Sequence, residues 1–472
     1  MNKHLALTSL RLTVTAALFL LLSAAGAAAA IDGISGPTFQ LSASTGYVST
    51  PDGGSYLIWG YAAEGGLAQY PGPTLIVNQG DTVRITLTNN LSVAGGGSAP
   101  NVSMFFPGQR VVVDQADRGV AGALTSEAVP GGTVTYEFVA AHPGTYTYYS
   151  GTDTALQMEM GLFGALIVRP AAGAGYAYNH PDTAFDREYL FLLSEMDPRI
   201  HQVVETQGPG GLAATNHLAD YFGVLWFING RAAPDNMMES NHPLLPHQPY
   251  NSFPRMHPGE KLLMRVIGAS RDSHPFHHHG NHARIIARDG RLLESAPGAG
   301  PDLSYEVFTI QSVPGSTHDA VFTWSGKGLN WDVYGTPDAG PQYQHDCVDN
   351  DGDDFDDTTH EYCPDHYAEC EDNDLDGLAD DGSGERCKNG WTKTIPVVLP
   401  NQGDLVFGAW YSGSPYLGSL EPLPPGEGGL NPNGGFSFMW HSHTEKELTN
   451  FDIFPGGMMT MLIIEPHGVD IP

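Results

Sequence analysis

Histidines are concentrated in two short segments of this 472-residue sequence. Five of the 20 histidines lie within ten consecutive residues: His274, His277, His278, His279 and His282. Two more, His441 and His443, flank a single serine. Imidazole nitrogens are common ligands of copper, zinc, iron and nickel. The residue types and their spacing therefore predict a transition-metal site.

Both histidine segments are predicted to be β-strands, because helical periodicity is scarce along the chain. Side chains alternate between the two faces of a strand, so His277 and His279 share one face and His278 lies on the other. His441 and His443 share a face for the same reason. Two such strands side by side would bring four imidazoles together, which is enough for one mononuclear copper or zinc ion.

Carboxylates next to the second histidine pair widen the choice of metal. Glu445 continues the face of His441 and His443, and Glu447 follows two residues later. Two or three histidines with one carboxylate are also a ligand set for non-haem iron or manganese. The alternative is that these histidines only pack and form hydrogen bonds, without a metal.

The rest of the sequence, which must position these histidines, predicts an all-β chain of two Greek-key sandwiches. The chain has 58 glycines and 35 prolines, which favours a turn-rich β-structure. In residues 31–170, the runs Thr133–Phe138 and Gly144–Tyr149 alternate with period two, as strands of an antiparallel sandwich do. Residues 171–185 are a predicted linker, and a second sandwich is expected over residues 186–472.

The N-terminus and the overall charge predict an exported protein that does not bind nucleic acid. Residues 1–30 combine Lys3 and Arg11 with an apolar run over 12–22 and small residues at 28–30, the pattern of a cleaved signal peptide. We therefore expect a secreted, periplasmic or cell-surface protein with no membrane span after cleavage. The formal net charge of −32 argues against a nucleic-acid partner, because neutralising phosphates needs lysine and arginine.

An acidic, cysteine-containing insert is predicted to interrupt the second sandwich at residues 346–387. It holds 17 acidic residues and one basic residue, Arg386. It also holds all four cysteines of the chain, and an even number in an exported protein predicts two disulfides. Three pairings are possible. Pairing between neighbours is our expectation, with Cys347 bonded to Cys363 and Cys370 bonded to Cys387.

Alternating aspartates in this insert predict calcium binding. Residues 372–380 place carboxylates at positions 1, 3, 5 and 9 with glycine at position 6, which supplies the oxygen ligands and the sharp turn that Ca²⁺ requires. A weaker second copy covers residues 349–353. The predicted ligands are Asp349, Asp351, Asp353, Asp372, Asp374, Asp376 and Asp380. The insert resembles the Cys-bounded, Asp-rich thrombospondin type 3 repeats, and the alternative is a solvated acidic loop.

A string of motifs resembles the multicopper oxidase family. The motifs occur in that family's order: Tyr70-Pro-Gly-Pro-Thr74, Gly80-Asp-Thr-Val83, Pro143-Gly-Thr-Tyr146, Gly161-Leu-Phe-Gly-Ala-Leu-Ile-Val168, His274-Pro-Phe-His-His-His-Gly280, His441-Ser-His443 and Pro455-Gly-Gly-Met-Met459. The resemblance implies two cupredoxin-like domains, with the acidic insert in the second. It also implies copper as a cofactor, with His277, His279, His441 and His443 as cluster ligands and His274 as a blue-copper ligand.

The sequence departs from the complete copper constellation of that family. The family passes electrons from a blue copper, which needs a cysteine thiolate, to a trinuclear copper cluster that reduces O₂. Ser442 stands at the position of the thiolate, Glu447 stands at a further blue-copper histidine, and residues 104–108 and 149–151 lack the expected histidines. We therefore expect a reduced site without blue copper or a complete cluster. Its candidate ligands are His274, His277, His279, His441, His443 and Glu447.

These observations lead to one leading hypothesis and one rival. The leading hypothesis is a secreted, multicopper-oxidase-like oxidoreductase that takes electrons from a small reductant or a lower-valent metal ion at a mononuclear histidine site. The rival is a non-catalytic extracellular or cell-surface protein that kept the cupredoxin fold and binds calcium. The family resemblance also implies a homo-oligomer, specifically a trimer.

If the insert binds calcium, removing the ion lowers the stability of the protein. We expect a chelator to lower the melting temperature, because 17 carboxylates repel one another once cations are removed. The double substitution Asp374→Ala, Asp376→Ala should remove much of this difference. Thermal melting with and without calcium measures both effects, and identical melting of the wild-type chain under the two conditions would contradict the prediction.

Overall fold

The structure is a computed structural model that describes residues 31–93, 98–257, 259–324, 370–371, 386–387, 436–465 and 470–471. Over these residues the chain is mostly β, which confirms the predicted all-β fold class. Two consecutive sandwiches form it, and they divide near Pro170.

The first sandwich, domain 1, contains two facing sheets and a small hairpin. Its strands are β1 (Ile34–Ser35), β2 (Thr38–Ser49), β3 (Ser55–Ala63), β4 (Leu75–Asn78), β5 (Thr82–Asn89), β6 (Val112–Val113), β7 (Val120–Ala121), β8 (Ser126–Glu127), β9 (Thr133–Val139), β10 (Gly144–Tyr149) and β11 (Phe163–Arg169). One sheet has the order β1-β4-β11-β10 and the other the order β3-β2-β5-β9-β6, while β7 pairs with β8.

The second sandwich, domain 2, carries both histidine segments. Its strands are β12 (Arg187–Met196), β13 (Leu225–Ile228), β14 (Arg255–Met256), β15 (Lys261–Gly268), β16 (His274–His278), β17 (Ala283–Arg288), β18 (Arg291–Leu292), β19 (Tyr305–Val307), β20 (Thr309–Ser312), β21 (Thr317–Thr323), β24 (Phe436–Ser442) and β25 (Met459–Ile464), with the pair β22 (Cys370–Glu371) and β23 (Arg386–Cys387) between them in sequence. One sheet has the order β13-β12-β15-β21-β17-β18, with β19 also on β17. The other has the order β14-β25-β24-β16-β20.

The expectation of an antiparallel sandwich for domain 1 was wrong in part, because both domains also contain parallel strand pairs. Strands β1 and β4, β4 and β11, and β2 and β5 pair in parallel in domain 1. In domain 2, β12 pairs in parallel with β15, and β14 with β25. The period-two pattern identified the strands but not their partners, because a Greek-key connection places a strand beside one that is distant in sequence.

The two sandwiches share an apolar interface. Most strands bury one face, as in β5, where buried and more exposed residues alternate. Strands β11 and β12 are instead buried on nearly every residue, because each faces its own core on one side and the other domain on the opposite side. The ring of Tyr70 lies 5.3 Å from that of Phe163 and 5.5 Å from that of Phe227, both in edge-on contact. Aromatic contact therefore joins β11 of domain 1 to β13 of domain 2.

A buried ion-pair network crosses the same interface. Arg265 of β15, with no exposed surface, donates from Nε to Glu188 at 2.9 Å and from Nη1 to Thr145 of domain 1 at 2.9 Å. Glu188 also accepts from Arg169 of domain 1 at 2.5 Å. Asp319 lies 3.4 Å from the Arg265 guanidinium. Two positive and two negative groups thus neutralise one another where the domains meet.

Helices are short over the described part of the chain. Helix α1 spans Thr154–Gln157 and helix α2 spans Pro198–Gln207, and neither was anticipated. Helix α2 did carry a sequence signal, because Asp197 accepts from the backbone amide of Arg199 as its N-cap and proline fills the first turn. A 3-10 turn follows the second histidine pair at Glu445–Leu448. No described helix has the length and apolarity to cross a membrane.

Little of the acidic insert falls within the described residues. Strands β22 and β23 are antiparallel, with Cys370 opposite Cys387 and Glu371 opposite Arg386. This register agrees with the expected pairing of Cys370 with Cys387, which stays a prediction. Cys347, Cys363, the seven predicted calcium ligands and the predicted signal peptide at residues 1–30 lie outside the described residues.

The network around Arg265 is expected to be required for stability. We expect Arg265→Met to lower the free energy of unfolding by about 3–5 kcal/mol, because it leaves buried carboxylates without their cation. The matched control is Arg84→Met, since Arg84 pairs with Asp114 and Glu137 with 41% of its side chain exposed. That change should cost much less, because solvent screens exposed ion pairs. Urea unfolding measures both, and equal losses for the two variants would contradict the assignment.

Candidate metal centre

Three adjacent strands of domain 2 bring the two histidine segments together. Strand β16 pairs antiparallel with β24, and His277 lies directly opposite His441. On its other side β16 pairs with β20, where Thr309 lies opposite His277. The sheet therefore places residues that are more than 160 positions apart in sequence side by side on one face.

The imidazoles of the two pairs form a compact group. Ligand atoms of His277, His279 and His441 all lie within 4.8 Å of one another. Nε2 of His441 is 3.2 Å from Nε2 of His279. The ring of His443 lies 4.8 Å from that of His277, centre to centre. The expected convergence of four histidines is thus what the structure shows, with three of them in the closest arrangement.

Hydrogen bonds orient two of these rings. Nδ1 of His441 lies 2.7 Å from the carbonyl oxygen of Ser442, which can only accept, so Nδ1 is the protonated nitrogen. This tautomer leaves a lone pair on Nε2, the atom that faces His279. Nδ1 of His277 lies 2.9 Å from the hydroxyl of Thr309. Such partners at the far nitrogen are typical of metal-binding histidines.

The three closest imidazoles, those of His277, His279 and His441, are neutral at physiological pH. Burial is the largest cause in each case, and the neighbouring histidines add to it. Together they lower the pKa of His277 to about 4 and that of His279 to about 3, and they also lower the pKa of His441. Neutral imidazole is the form that binds a metal ion, so these residues do not need to lose a proton first.

The other residues near the group have different surroundings. His278 points to the opposite face, as predicted, and is buried beside Phe322 and Trp440 in the core of the sandwich. His443 and Glu445 are exposed. The histidine group is therefore buried on the side of the sheet and exposed to solvent on the side of His443.

His274 lies apart from the three-histidine group in a buried triad with two carboxylates. Its Nδ1 is 2.9 Å from Glu447 and its Nε2 is 2.9 Å from Glu195. These two carboxylates raise the pKa of His274 to about 9 despite its burial, so it is an imidazolium at neutral pH. The triad joins β16, the turn after β24, and β12 at the domain interface.

This triad does not fit the blue copper that the family resemblance implies. Both nitrogens of His274 hold protons for carboxylates, and Ser442 offers a hydroxyl where a thiolate is required. Of the predicted ligands, His274 and Glu447 are thus hydrogen-bonded to each other and do not belong to the three-histidine group. Glu195 was missed, because it lies 79 residues from His274 on a different strand.

Domain 1 offers no second set of histidines at the positions the family resemblance indicates. Met104 and Phe106 are buried in its core, and Phe105 packs against Tyr149 at 5.6 Å between ring centres. Ser150 is buried and bonds to Gln157. Apolar packing and neutral hydrogen bonds occupy these positions, so the described residues provide one group of histidines rather than two facing ones.

Comparison with known proteins supports the multicopper oxidase family. The family model described as multicopper oxidase matches residues 58–173, which covers most of domain 1. An L-ascorbate oxidase of Brassica rapa subsp. pekinensis is 32% identical over 127 residues, 27% of this chain and 20% of that protein. A putative laccase-11 of Oryza sativa subsp. japonica is 26% identical over 227 residues, 47% of this chain and 36% of that protein. The matches thus span between a fifth and about a third of these relatives.

Comparison with solved structures confirms the architecture. A blue copper oxidase from Nitrosomonas europaea superposes with a TM-score of 0.50 at 18% identity, covering 90% of this chain and 85% of that one. At this identity the likeness concerns the fold alone. The chain therefore has a mostly β, cupredoxin-like fold similar to that of multicopper oxidases, while its metal ligands must be judged from its own residues.

The buried triad predicts a loss of stability in mild alkali. A pKa raised from 6.5 to about 9 means that the folded state holds a proton the unfolded state releases. The contribution is complete below pH 6.5 and is lost as the pH rises toward 9. We expect the free energy of unfolding to fall over this range by up to about 3 kcal/mol.

Urea unfolding at pH 6.5 and pH 9 tests this expectation. His274→Gln should be less stable at pH 6.5 but lack the decline, because it cannot gain or lose the proton. The matched control His142→Gln changes an exposed histidine and should decline like the wild-type chain. A wild-type free energy that is constant between the two pH values would show that His274 is not ionised.

Proposed function

We propose that this protein is a copper-dependent oxidoreductase with one mononuclear copper held by His277, His279 and His441. The observation that carries the proposal is the convergence of their ligand atoms within 4.8 Å. The two Nε2 atoms of His279 and His441 face each other at 3.2 Å, the kind of pair that a shared metal ion satisfies. His443 is the candidate fourth ligand, because its ring adjoins the group from the open side.

The chemistry of the donor set fits copper. Three imidazoles form a site that copper and zinc both accept, and by the usual order of divalent-metal affinities copper binds more tightly. The multicopper oxidase family supports copper over zinc. When bound, copper supplies one-electron oxidation and reduction. The histidines would hold the ion, and His441 would offer it the lone pair of Nε2, because its Nδ1 donates to the carbonyl of Ser442.

The surroundings of the site indicate how electrons would reach it. His274 is an imidazolium between two carboxylates, so the nearby position implied for a blue copper provides no intermediate electron acceptor. A reductant would therefore react directly at the histidine group. The exposed side at His443 can admit a small molecule or a lower-valent metal ion, so we propose these as the substrate classes.

A non-catalytic role is the second candidate. Two observations favour it. Apolar residues are packed at the positions of domain 1 where the family resemblance implies histidines. His274, implied as a blue-copper ligand, is hydrogen-bonded to two carboxylates instead. In that case the protein is an extracellular or cell-surface structural or binding module, and the histidine group is a packing remnant. Metal binding separates the two candidates.

Three further properties are proposed on the sequence and the family resemblance. We propose that residues 1–30 direct export, so that the protein is secreted, periplasmic or at the cell surface. We propose that the insert at residues 346–387 binds calcium and is held by two disulfides. We also propose a homo-oligomer, a trimer by family resemblance.

Copper titration of the metal-free protein tests the main proposal. We expect one copper per chain by elemental analysis, with a Cu(II) EPR spectrum from nitrogen ligands. We also expect no intense absorption near about 600 nm, since that band needs a thiolate ligand. His279→Ala combined with His441→Ala should abolish binding. His142→Ala, which removes an exposed histidine of domain 1, should bind copper like the wild-type chain.

Oxidation assays then separate an enzyme from a passive copper protein. Ascorbate and a ferrous salt are the reductants to test, as examples of the two proposed substrate classes. Copper-dependent turnover that is lost in the double histidine variant would support the oxidoreductase. Failure of the reconstituted wild-type chain to hold any transition metal would exclude it and favour the non-catalytic alternative.

A further inference from the structure

We propose that Thr309 is a positioning residue of the histidine group: its hydroxyl accepts a hydrogen bond from Nδ1 of His277 and thereby directs Nε2 of that ring to the metal. This inference goes beyond the proposed copper function and rests on it for its role in metal binding. Thr309 lies on a strand that the sequence did not connect with the histidines.

The register of three strands carries the proposal. Strand β16 lies between β20 and β24, so His277 has Thr309 opposite on one side and His441 opposite on the other. Residues opposite one another on adjacent strands project to the same face of the sheet. The ring of His277 is therefore held between the threonine hydroxyl, 2.9 Å from Nδ1, and the neighbouring histidine.

The arrangement repeats the one at His441. There the carbonyl of Ser442 accepts from Nδ1 and leaves Nε2 to face His279. At His277 the hydroxyl of Thr309 occupies the corresponding position beside Nδ1. Two of the three closest histidines thus have a hydrogen-bonding partner at Nδ1, and we assign metal binding to Nε2 in both.

A hydroxyl beside Nδ1 can influence which ring nitrogen of His277 carries the proton, and an apolar contact cannot. Neutral imidazole carries one proton, and a metal requires the other nitrogen to be bare. We assign the acceptor role to this hydroxyl, which can also donate; as an acceptor it favours the tautomer with the proton on Nδ1. The β-branched side chain of threonine also has restricted rotation, so the acceptor is held in place. Loss of such an outer partner typically weakens metal affinity by about 10–100-fold.

Three variants of the full-length protein test the proposal. Thr309→Val keeps the shape and removes the acceptor, so the copper dissociation constant should rise by about 10–100-fold. Thr309→Ser keeps the hydroxyl and should stay close to the wild-type value. Thr323→Val, at an exposed position on β21, is the matched control and should bind like the wild-type chain. Copper EPR of each variant reports whether the ligand geometry changes.

A second measurement reads the tautomer without any metal. In metal-free protein labelled with ¹⁵N-histidine, we expect His277 to carry its proton on Nδ1. The Thr309→Val variant should shift this population toward Nε2, with the His277→Gln spectrum identifying the signal. An unchanged tautomer and an unchanged copper affinity in Thr309→Val would each overturn the proposal.

The outcomes distinguish this inference from the proposed function. If the wild-type chain binds copper and Thr309→Val binds it equally well, Thr309 has no positioning role while the copper site stands. If the wild-type chain binds no copper but the tautomer responds to Thr309→Val, the proposed function fails and the orientation of His277 by Thr309 survives. A loss of affinity in both Thr309→Val and Thr309→Ser would indicate a structural effect and contradict the proposal.

Discussion

The antiparallel pairing of β16 with β24 is the constraint on which the site depends. It places His277 opposite His441, and the alternation of side chains then puts His279 beside them on the same face. A shift of this register by one residue would turn the second histidine pair to the opposite face. The ladder to β20 adds Thr309 on the other side of His277. The histidine group is therefore a property of a three-strand register, and no single segment contains it.

Paired buried charges are a second constraint on this framework. Where the family resemblance implies a blue copper, His274 is held as an imidazolium between Glu195 and Glu447. Each of these charges would be costly if buried alone, but together they are paired and hydrogen-bonded. A second network, at Arg265, neutralises charges where the two sandwiches meet. Ionic contacts thus hold the strands that carry the site against the strands that form the domain interface.

Much of the local structure follows from the sequence, and the pairing does not. The alternating runs at residues 133–138 and 144–149 became β9 and β10, because period two is a local consequence of strand geometry. The parallel contacts, such as β12 with β15, were missed because they arise between strands far apart in the chain. Helix α2 was missed although its Asp-Pro start is a known capping signal. Glu195 was not predicted as a site residue for the same reason, because it lies far from His274 in the chain.

The sequence by itself determined the fold class, the shared face within each histidine pair (His277 with His279, and His441 with His443), and the absence of a cysteine from these two segments. These properties depend on residue type and on spacing within one strand, which the chain encodes locally. The tertiary structure alone decided that three of the four imidazoles converge most closely, that His274 is bonded to two carboxylates, and that Thr309 adjoins His277. Those decisions depend on which strands become neighbours. Neighbours are selected by burial of whole sheet faces, so they cannot be read from any one segment.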